Sequence, residues 1–275
     1  MPHKPSIAVL PFANMSGDPE QEYFADGMVE EIITALSRIR WLFVIARNST
    51  FTYKRQTVDV KQVGREFGVR YVLEGSVRKA GSRVRITAQL IDAQSGTHLW
   101  ADRFDGSLED VFGLQDQVAT ALAGVIEPTL QVAEIRRSAD RPTNDLTAYD
   151  LYLRAIPLRL SGEQEGIVAS LDLLGRAIER DPNYASALGS AALCHMQLHV
   201  TGWSNDVDRD RREGVNLARR ALLVADGDPS VFAWSGYVLA YFGENIDAAL
   251  ELVDRALTLN PSFAQGWYWS GMIRL

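Results

Sequence analysis

The chain has 275 residues, 47% of them hydrophobic and 23% charged, with a formal net charge of −7. That balance is ordinary for a globular protein, and the length suits one large domain or two ordinary ones. Cys194 is the only cysteine, which excludes an internal disulfide framework and a cysteine-rich zinc site, and is compatible with a cytoplasmic setting. No uninterrupted apolar run reaches the roughly 18 residues of a membrane helix, so no membrane span is expected. The opening MPHKPSIAVLPF has neither the extended apolar stretch nor the small-residue cleavage site of a signal peptide.

The charge is unevenly placed. Between Arg38 and Arg103 there are 13 Lys/Arg and 5 Asp/Glu, a local +8 set against −15 elsewhere. A basic region of this kind can meet nucleic acid or an acidic partner. No aromatic-interleaved RNA-binding motif or recognition helix accompanies it. The simpler reading is a solvated strand face or pairing with acidic helices, and no nucleic-acid binding is expected of this segment.

Residues 6–12, SIAVLPF, form a short apolar run that reads as a buried strand ended by Pro11. Residues 14–19 carry loop chemistry, with Gly17 and Pro19 as punctuation and Ser16 or Asp18 as a helix cap. From Glu22 to Ile39 the positions Phe24, Met28, Ile32, Ala35, Leu36 and Ile39 follow helical spacing. Residues 42–46 read as a second strand, followed by residues 48–53 and then by a short helix through Val60, Val63 and Phe67 with Gly68 as its stop.

Next comes VRYVLEGSVRKAGSRVRITAQLIDAQSGTHLWADRFDG, residues 69–106. Tyr71, Leu73, Gly75 and Val77 alternate with polar neighbours, as do Val84, Ile86, Ala88 and Leu90, which is the period of half-buried strands. Gly81 and Gly96 supply the turns of an antiparallel meander. A closing helix is predicted over residues 108–125, with Pro128 ending or kinking it. Residues 136–147 are polar and contain Pro142, which sets domains of 1–140 and 141–275. The order β-α-β-α-β-β-β-α predicts an α/β sandwich, a mixed sheet carrying helices.

The second half holds a repeat and no convincing strand. The phrases DPNYASAL at 181–188 and NPSFAQGW at 260–267 start 79 residues apart, with DPSVFAW at 228–234 between them. Each follows a helix with a paired small and apolar residue, Ala177-Ile178, Ala221-Leu222 and Ala256-Leu257, whose alanines lie 44 and 35 residues apart. A period near about 34 with one insertion is the mark of a paired-helix, all-α solenoid. The wording resembles tetratricopeptide repeats. Trp267 and Gly271 match the first-helix aromatic and glycine, and Ala249, Val253, Ala256 and Pro261 match the second-helix pattern. Ser170, Leu174, Ala177 and Pro182 fit more loosely, while Gly214, Ala218 and an insertion over residues 199–212 depart from it. Three full repeats and the first helix of a fourth are expected, with the solenoid truncated at Leu275.

The first half resembles the TolB-like N-terminal domain of bacterial multidomain signalling proteins. The resemblance rests on SIAVLPFANMSGDPEQEYFADGMVEEI, WLFVIARNSTF and the meander itself, together residues 6 to about 125. It implies a neighbouring domain, a class III adenylate/guanylate cyclase or a winged-helix DNA-binding domain, lying N-terminal to this arrangement.

Candidate sites are few. Asn14, Ser16, Asp18, Asp26 and Glu30 lie after a strand end and at a helix start, where α/β sheets bind small ligands. No glycine-rich phosphate cradle is written there, and helix capping with a solvated acidic turn accounts for the same residues. Asp26, Glu30 and Glu31 lack a third ligand that would make a metal site. His195 and His199 share a helix face at i,i+4, but no glutamate or further ligand follows, and a packed histidine pair is the simpler reading. Cys194 reads as a small buried apolar residue, and His98 has no catalytic partnership. Tyr149, Tyr152, Tyr237, Tyr268 and Trp269 read mainly as core. Trp203, Trp234, Tyr241 and Trp267 are the candidates for a protein partner in the repeat groove. The expectation is a regulatory, protein-binding segment with no catalytic residues, no metal and no cofactor. The alternatives are the regulatory part of a cyclase whose catalytic domain lies outside the chain, and a small-ligand sensor.

Overall fold

The structure, a computed structural model, describes residues 5–18, 22–56, 58–107, 110–139 and 147–275. Pro19, Leu108 and Pro142, used above as loop, helix-start and linker markers, lie outside the described residues. The chain divides into two units, Met1–Ala133 and Glu134–Leu275.

The first unit is built on a mixed six-stranded sheet. Its strands are β1 (Ser6–Val9), β2 (Ala13–Asn14), β3 (Phe43–Val44), β4 (Tyr71–Ala80), β5 (Arg83–Asp92) and β6 (His98–Ser107). The order across the sheet is β3-β1-β4-β5-β6, with β2 also beside β4. β1 runs parallel to β3 and β4, β2 runs parallel to β4, and β4, β5 and β6 are antiparallel. Gly81 at φ 62° and Gly96 at φ 79° make the two meander turns.

Register decides which side chains share a face. Leu73 pairs with Leu90, Val77 with Ile86, and on the next strand Leu90 with Trp100 and Ile86 with Phe104. This face is covered by α1 (Glu22–Ser37) and α4 (Val111–Ala139). Phe24, Met28, Ile32 and Leu36 of α1 join Val118, Leu122, Ile126 and Leu130 of α4 in one core with the strands. The opposite face is covered at one end, where Val63 of α3 (Val60–Phe67) packs with Ala8, Leu10, Val69, Val72 and Ala93. Asp59 caps α3 and Gly68, at φ 64°, ends it as predicted.

Several elements differ from the sequence reading. β3 keeps two of the five expected strand residues, although the Ile45 N–H still donates to the Ile7 carbonyl at 2.9 Å. Residues 13–14 pair as β2, at the start of the stretch read as loop over residues 14–19. Residues 47–53 form α2 (Arg47–Thr50) and a 3₁₀ turn (Phe51–Tyr53).

The largest change is α4, which passes through Pro128 and runs to Ala139. Proline inside a helix costs roughly 3 kcal/mol. Ile126 and Leu130, on either side of it, are fully buried, and burial of about 1.5–3 kcal/mol for each offsets that cost. By length and composition α4 is also long and apolar enough to cross a membrane, although polar residues interrupt its apolar run. In the structure its apolar residues Leu114, Val118, Leu122, Ile126 and Leu130 are core against the sheet.

Among its described residues the second unit holds helices and no strand. Its helices are α5 (Ala148–Leu160), α6 (Gln164–Arg180), α7 (Ala185–Val200), α8 (Val207–Leu223), α9 (Pro229–Tyr241), α10 (Ile246–Leu259) and α11 (Ala264–Arg274). Each packs on the next, and α5, α7, α9 and α11 also pack successively on one another. Caps mark the starts: Thr147 forms a capping box with Asp150, and Asp206, Asp228 and Asn245 each accept from a first-turn N–H. Pro229 occupies the first turn of α9, where its missing N–H costs nothing. The insertion over residues 199–212 is taken up by helix, leaving only residues 201–206 between α7 and α8.

Gly75 lies where strand and ring approach most closely. A Cβ there would fall on the Thr87 carbonyl oxygen and on the Phe12 ring. Gly75→Ala is therefore expected to lower unfolding stability by about 1–3 kcal/mol in urea denaturation. An unchanged midpoint would show that β4 and the ring can part without loss.

Candidate functional site

The five polar residues named at the start of the first helix fall into two groups. In the loop after β2, the Ser16 N–H donates to Asn14 Oδ1 at 2.9 Å, Asn14 Nδ2 donates to the Asp18 carbonyl at 2.8 Å, and Ser16 Oγ accepts from the Lys79 N–H at 2.9 Å. These bonds close the loop on itself and tie it to the end of β4. Asp26 and Glu30 sit on α1 and turn towards the segment after β3. Lys54 Nζ donates to both Asp26 oxygens, at 2.8 and 2.6 Å, and lies 3.1 Å from Glu22. Glu30 lies 3.8 Å from Arg47, whose guanidinium stacks 3.9 Å over the Phe51 ring.

Burial pulls the Lys54 ammonium down, but its hydrogen bonds to Asp26 and Glu22 outweigh that and hold its pKa above the ordinary lysine value. The acids on α1 thus clamp α2 and the 3₁₀ turn against the helix. Sequence spacing had no means of finding Lys54, 28 residues from Asp26 along the chain. Among the described residues, no group of three or more His, Cys, Asp or Glu is placed to hold a metal.

The four aromatic candidates of the second unit also separate. Trp234 is buried, 6% exposed, with its ring against Gly189, contrary to the expectation of a partner contact. The reason is packing: Gly189 leaves the space on α7 that the indole on α9 fills. Trp203 is half-buried at the core edge, and its carbonyl accepts from Gln164 Nε2 at 3.4 Å. Tyr241 is half-buried, with its hydroxyl 2.8 Å from His199 Nδ1. Trp267 is 59% exposed, and its Nε1 donates to the Pro261 carbonyl at 3.0 Å.

Two residues read mainly as core belong with these last. Tyr268 is 61% exposed, and half-buried Tyr237 stacks on Trp269 at 5.8 Å. His199, Tyr237, Tyr241, Trp267 and Tyr268 all lie on α7, α9 and α11, the helices that pack on one another. The i,i+4 spacing of Tyr237 and Tyr241 was the signal available for grouping them.

The histidine pair splits as a structural pair would. His195 Nδ1 is 2.7 Å from Asp210 Oδ1, the other carboxylate oxygen accepts from Ser204 Oγ, and both His195 and Asp210 are buried. The serine meets the carboxylate rather than the imidazole, so no nucleophile–base pair is formed. Cys194 is fully buried. Burial pushes its thiol up to about 11, against the opposing pull of Arg159 and of a hydrogen bond with Ser170.

Residues 3–121 match a sequence model described as HilA/YgeH-like transcriptional regulator, second domain. Over 229 residues the chain is 44% identical to "Putative adenylate cyclase 3" of Rhizobium meliloti (strain 1021), a match covering 83% of this chain and 39% of that protein. The chain therefore spans less than half the length of that relative. Among solved structures, it is similar to TolB from Acinetobacter baumannii at 17% identity and a TM-score of 0.34, over 47% of this chain and 29% of that one. It is similar to lipoprotein GNA1162 from Neisseria meningitidis at 23% identity and a TM-score of 0.35, over 45% and 99% of the two chains. For the LpoB C-terminal domain from Escherichia coli the values are 16% and 0.31, over 38% and 83%. A regulator's domain and a longer cyclase-named relative fit a regulatory, non-catalytic segment.

The raised thiol pKa gives a chemical test of the second unit's core. With a pKa of about 11, roughly a thousandth of Cys194 is thiolate at pH 8. A disulfide reagent such as DTNB should leave the native thiol unmodified over minutes and label it at once in denaturing guanidinium. Rapid labelling of the folded protein would mean that α7 is open to solvent.

Proposed function

We propose that this chain is the regulatory, protein-binding segment of a bacterial signalling protein and carries no catalytic centre of its own. The helical unit acts as a tetratricopeptide-type solenoid, and a partner segment lies along its inner helices. The observation that carries this reading is the layering of α5, α7, α9 and α11, each packed on the next, with α6, α8 and α10 paired to them. In paired-helix solenoids the first helices of successive pairs line the concave, ligand-binding side. Here that layer bears Tyr237, Tyr241, Trp267 and Tyr268 as half-buried or exposed aromatics. Aromatic side chains with one polar end give large contact area for little conformational entropy.

In this reading the functional domains are 1–140 and 141–275, the setting is cytoplasmic, and the sheet unit joins the repeats to a neighbouring domain. The long relative supports a second form of the same idea. The segment would then regulate a class III adenylate or guanylate cyclase whose catalytic domain lies elsewhere in the protein. Both forms expect purified 1–275 to leave ATP and GTP unchanged in the presence of magnesium. Steady formation of a cyclic nucleotide would overturn them.

A displayed peptide library selected on the chain tests the groove itself. Tyr241→Ala and Trp267→Ala should each weaken the selected peptides by roughly tenfold or more, the loss expected of an interface anchor worth at least about 1.4 kcal/mol. Peptides indifferent to both changes would place binding elsewhere.

A further inference from the structure

The basic stretch noted in the sequence gathers on one side of the sheet. Cross-strand partners share a face, so the pairs Arg78–Arg85, Ser76–Thr87, Glu74–Gln89, Thr87–Arg103 and Arg85–Asp105 put these residues together. They lie opposite the face covered by α1 and α4, and beyond the end covered by α3. Arg78, Arg83, Arg85 and Arg103 are all exposed.

Among the described residues, only one of the four has a close counter-ion. Arg85 Nε donates to Asp105 Oδ1 at 2.7 Å, and its second nitrogen donates to Oδ2 at 3.2 Å. That hydrogen-bonded guanidinium holds the Asp105 carboxyl below its ordinary range, and Arg103 and Arg83 add to the pull. Among the described residues, the side chains of Arg78, Arg83 and Arg103 form no hydrogen bond or close ion pair. Arg78 stands directly across from Arg85, an arrangement of like charges that destabilises a strand pair. A face serving only to be wetted would gain from alternating signs. This one concentrates positive charge in a chain of net charge −7.

We infer that this face docks an acidic segment of a second protein, its carboxylates seated on Arg78, Arg83 and Arg103. Guanidinium groups take carboxylates in bidentate fashion, and Ser76, Thr87 and Gln89 between them offer hydrogen bonds to an extended backbone. Among the described residues, the strand positions around these arginines carry no aromatic ring on which a base could stack: the rings of Trp100 and Phe104 belong to the opposite, core side of β6. Glu74 and Asp105 would also repel a run of phosphates. Chemistry therefore favours discrete carboxylates over a nucleic-acid backbone. The site is independent of the helical groove and lies wholly within the first unit.

The test uses fluorescence anisotropy of labelled decaglutamate on the whole chain. Three proteins are compared: wild type, the triple variant R78Q/R83Q/R103Q, and the control R209Q/R211Q/R212Q, which removes the same charge from the exposed side of α8. Wild type and control should bind alike, with affinity falling as salt rises, and the sheet variant should bind at least about tenfold more weakly with an unchanged melting temperature. Absence of decaglutamate binding, or equal losses in both triple variants, would overturn the proposal. So would tighter binding of oligothymidine of equal charge, or a sedimentation-detected dimer that only the sheet variant dissolves. The last would make a second copy of this chain the occupant.

Discussion

A long antiparallel meander has two faces, and this chain supplies apolar side chains in full for only one of them. The alternation of Leu73, Val77, Ile86 and Leu90 with mostly polar neighbours fixes that choice, because slipping a strand by one residue would turn this apolar set away from the core. Everything else in the first unit follows. α1 and α4 must lie on the apolar side, and Gly75 must stay small where Phe12 crosses β4. The opposite side, covered only at the Val63 end, is left to arginine, serine, threonine and glutamine.

In the second unit the corresponding constraint is helix approach. Gly189 admits the Trp234 indole, Gly214 lies against Phe242, and a side chain on Gly236 would collide with the Ala249 carbonyl. Large rings therefore fill the space between helices, while Tyr237, Tyr241, Trp267 and Tyr268 on α9 and α11 remain partly open. Trp234 and Tyr241 illustrate the division: the two are seven residues apart on α9, one sealed in the core and one at its margin. The acids of α1 show how an apparent ligand site becomes structural. Asp26 and Glu30 face a lysine and an arginine from the segment after β3, and their charge holds that segment in place.

Periodicity made the meander, α1 and α3 legible from sequence, because each has one buried face and therefore a clear period. In the second half, where α7 and α9 are buried on most sides, the repeated phrases at 181–188, 228–234 and 260–267 gave the helical character instead. Short elements were only partly legible. The apolar run at 42–46 marked β3 but not its two-residue length, and β2, also two residues long, exists through its pairing with β4, which no local pattern records. Pro128 misled because its local cost is visible in the sequence and the burial of Ile126 and Leu130 is not. At the candidate sites, residue types were legible and partners were not: Lys54 meets Asp26, and Asp210 meets His195, only through the fold. The arginines show the same limit. Their number could be counted, but their convergence on one face depends on register.

The central claim, that partners engage the inner helices of the second unit, is most directly tested by hydrogen–deuterium exchange with a peptide selected on the whole chain. Binding along the inner layer predicts slowed exchange in α7, α9 and α11, with α8 and α10 unchanged. Protection confined to α8 and α10, or absent from the helical unit altogether, would contradict it.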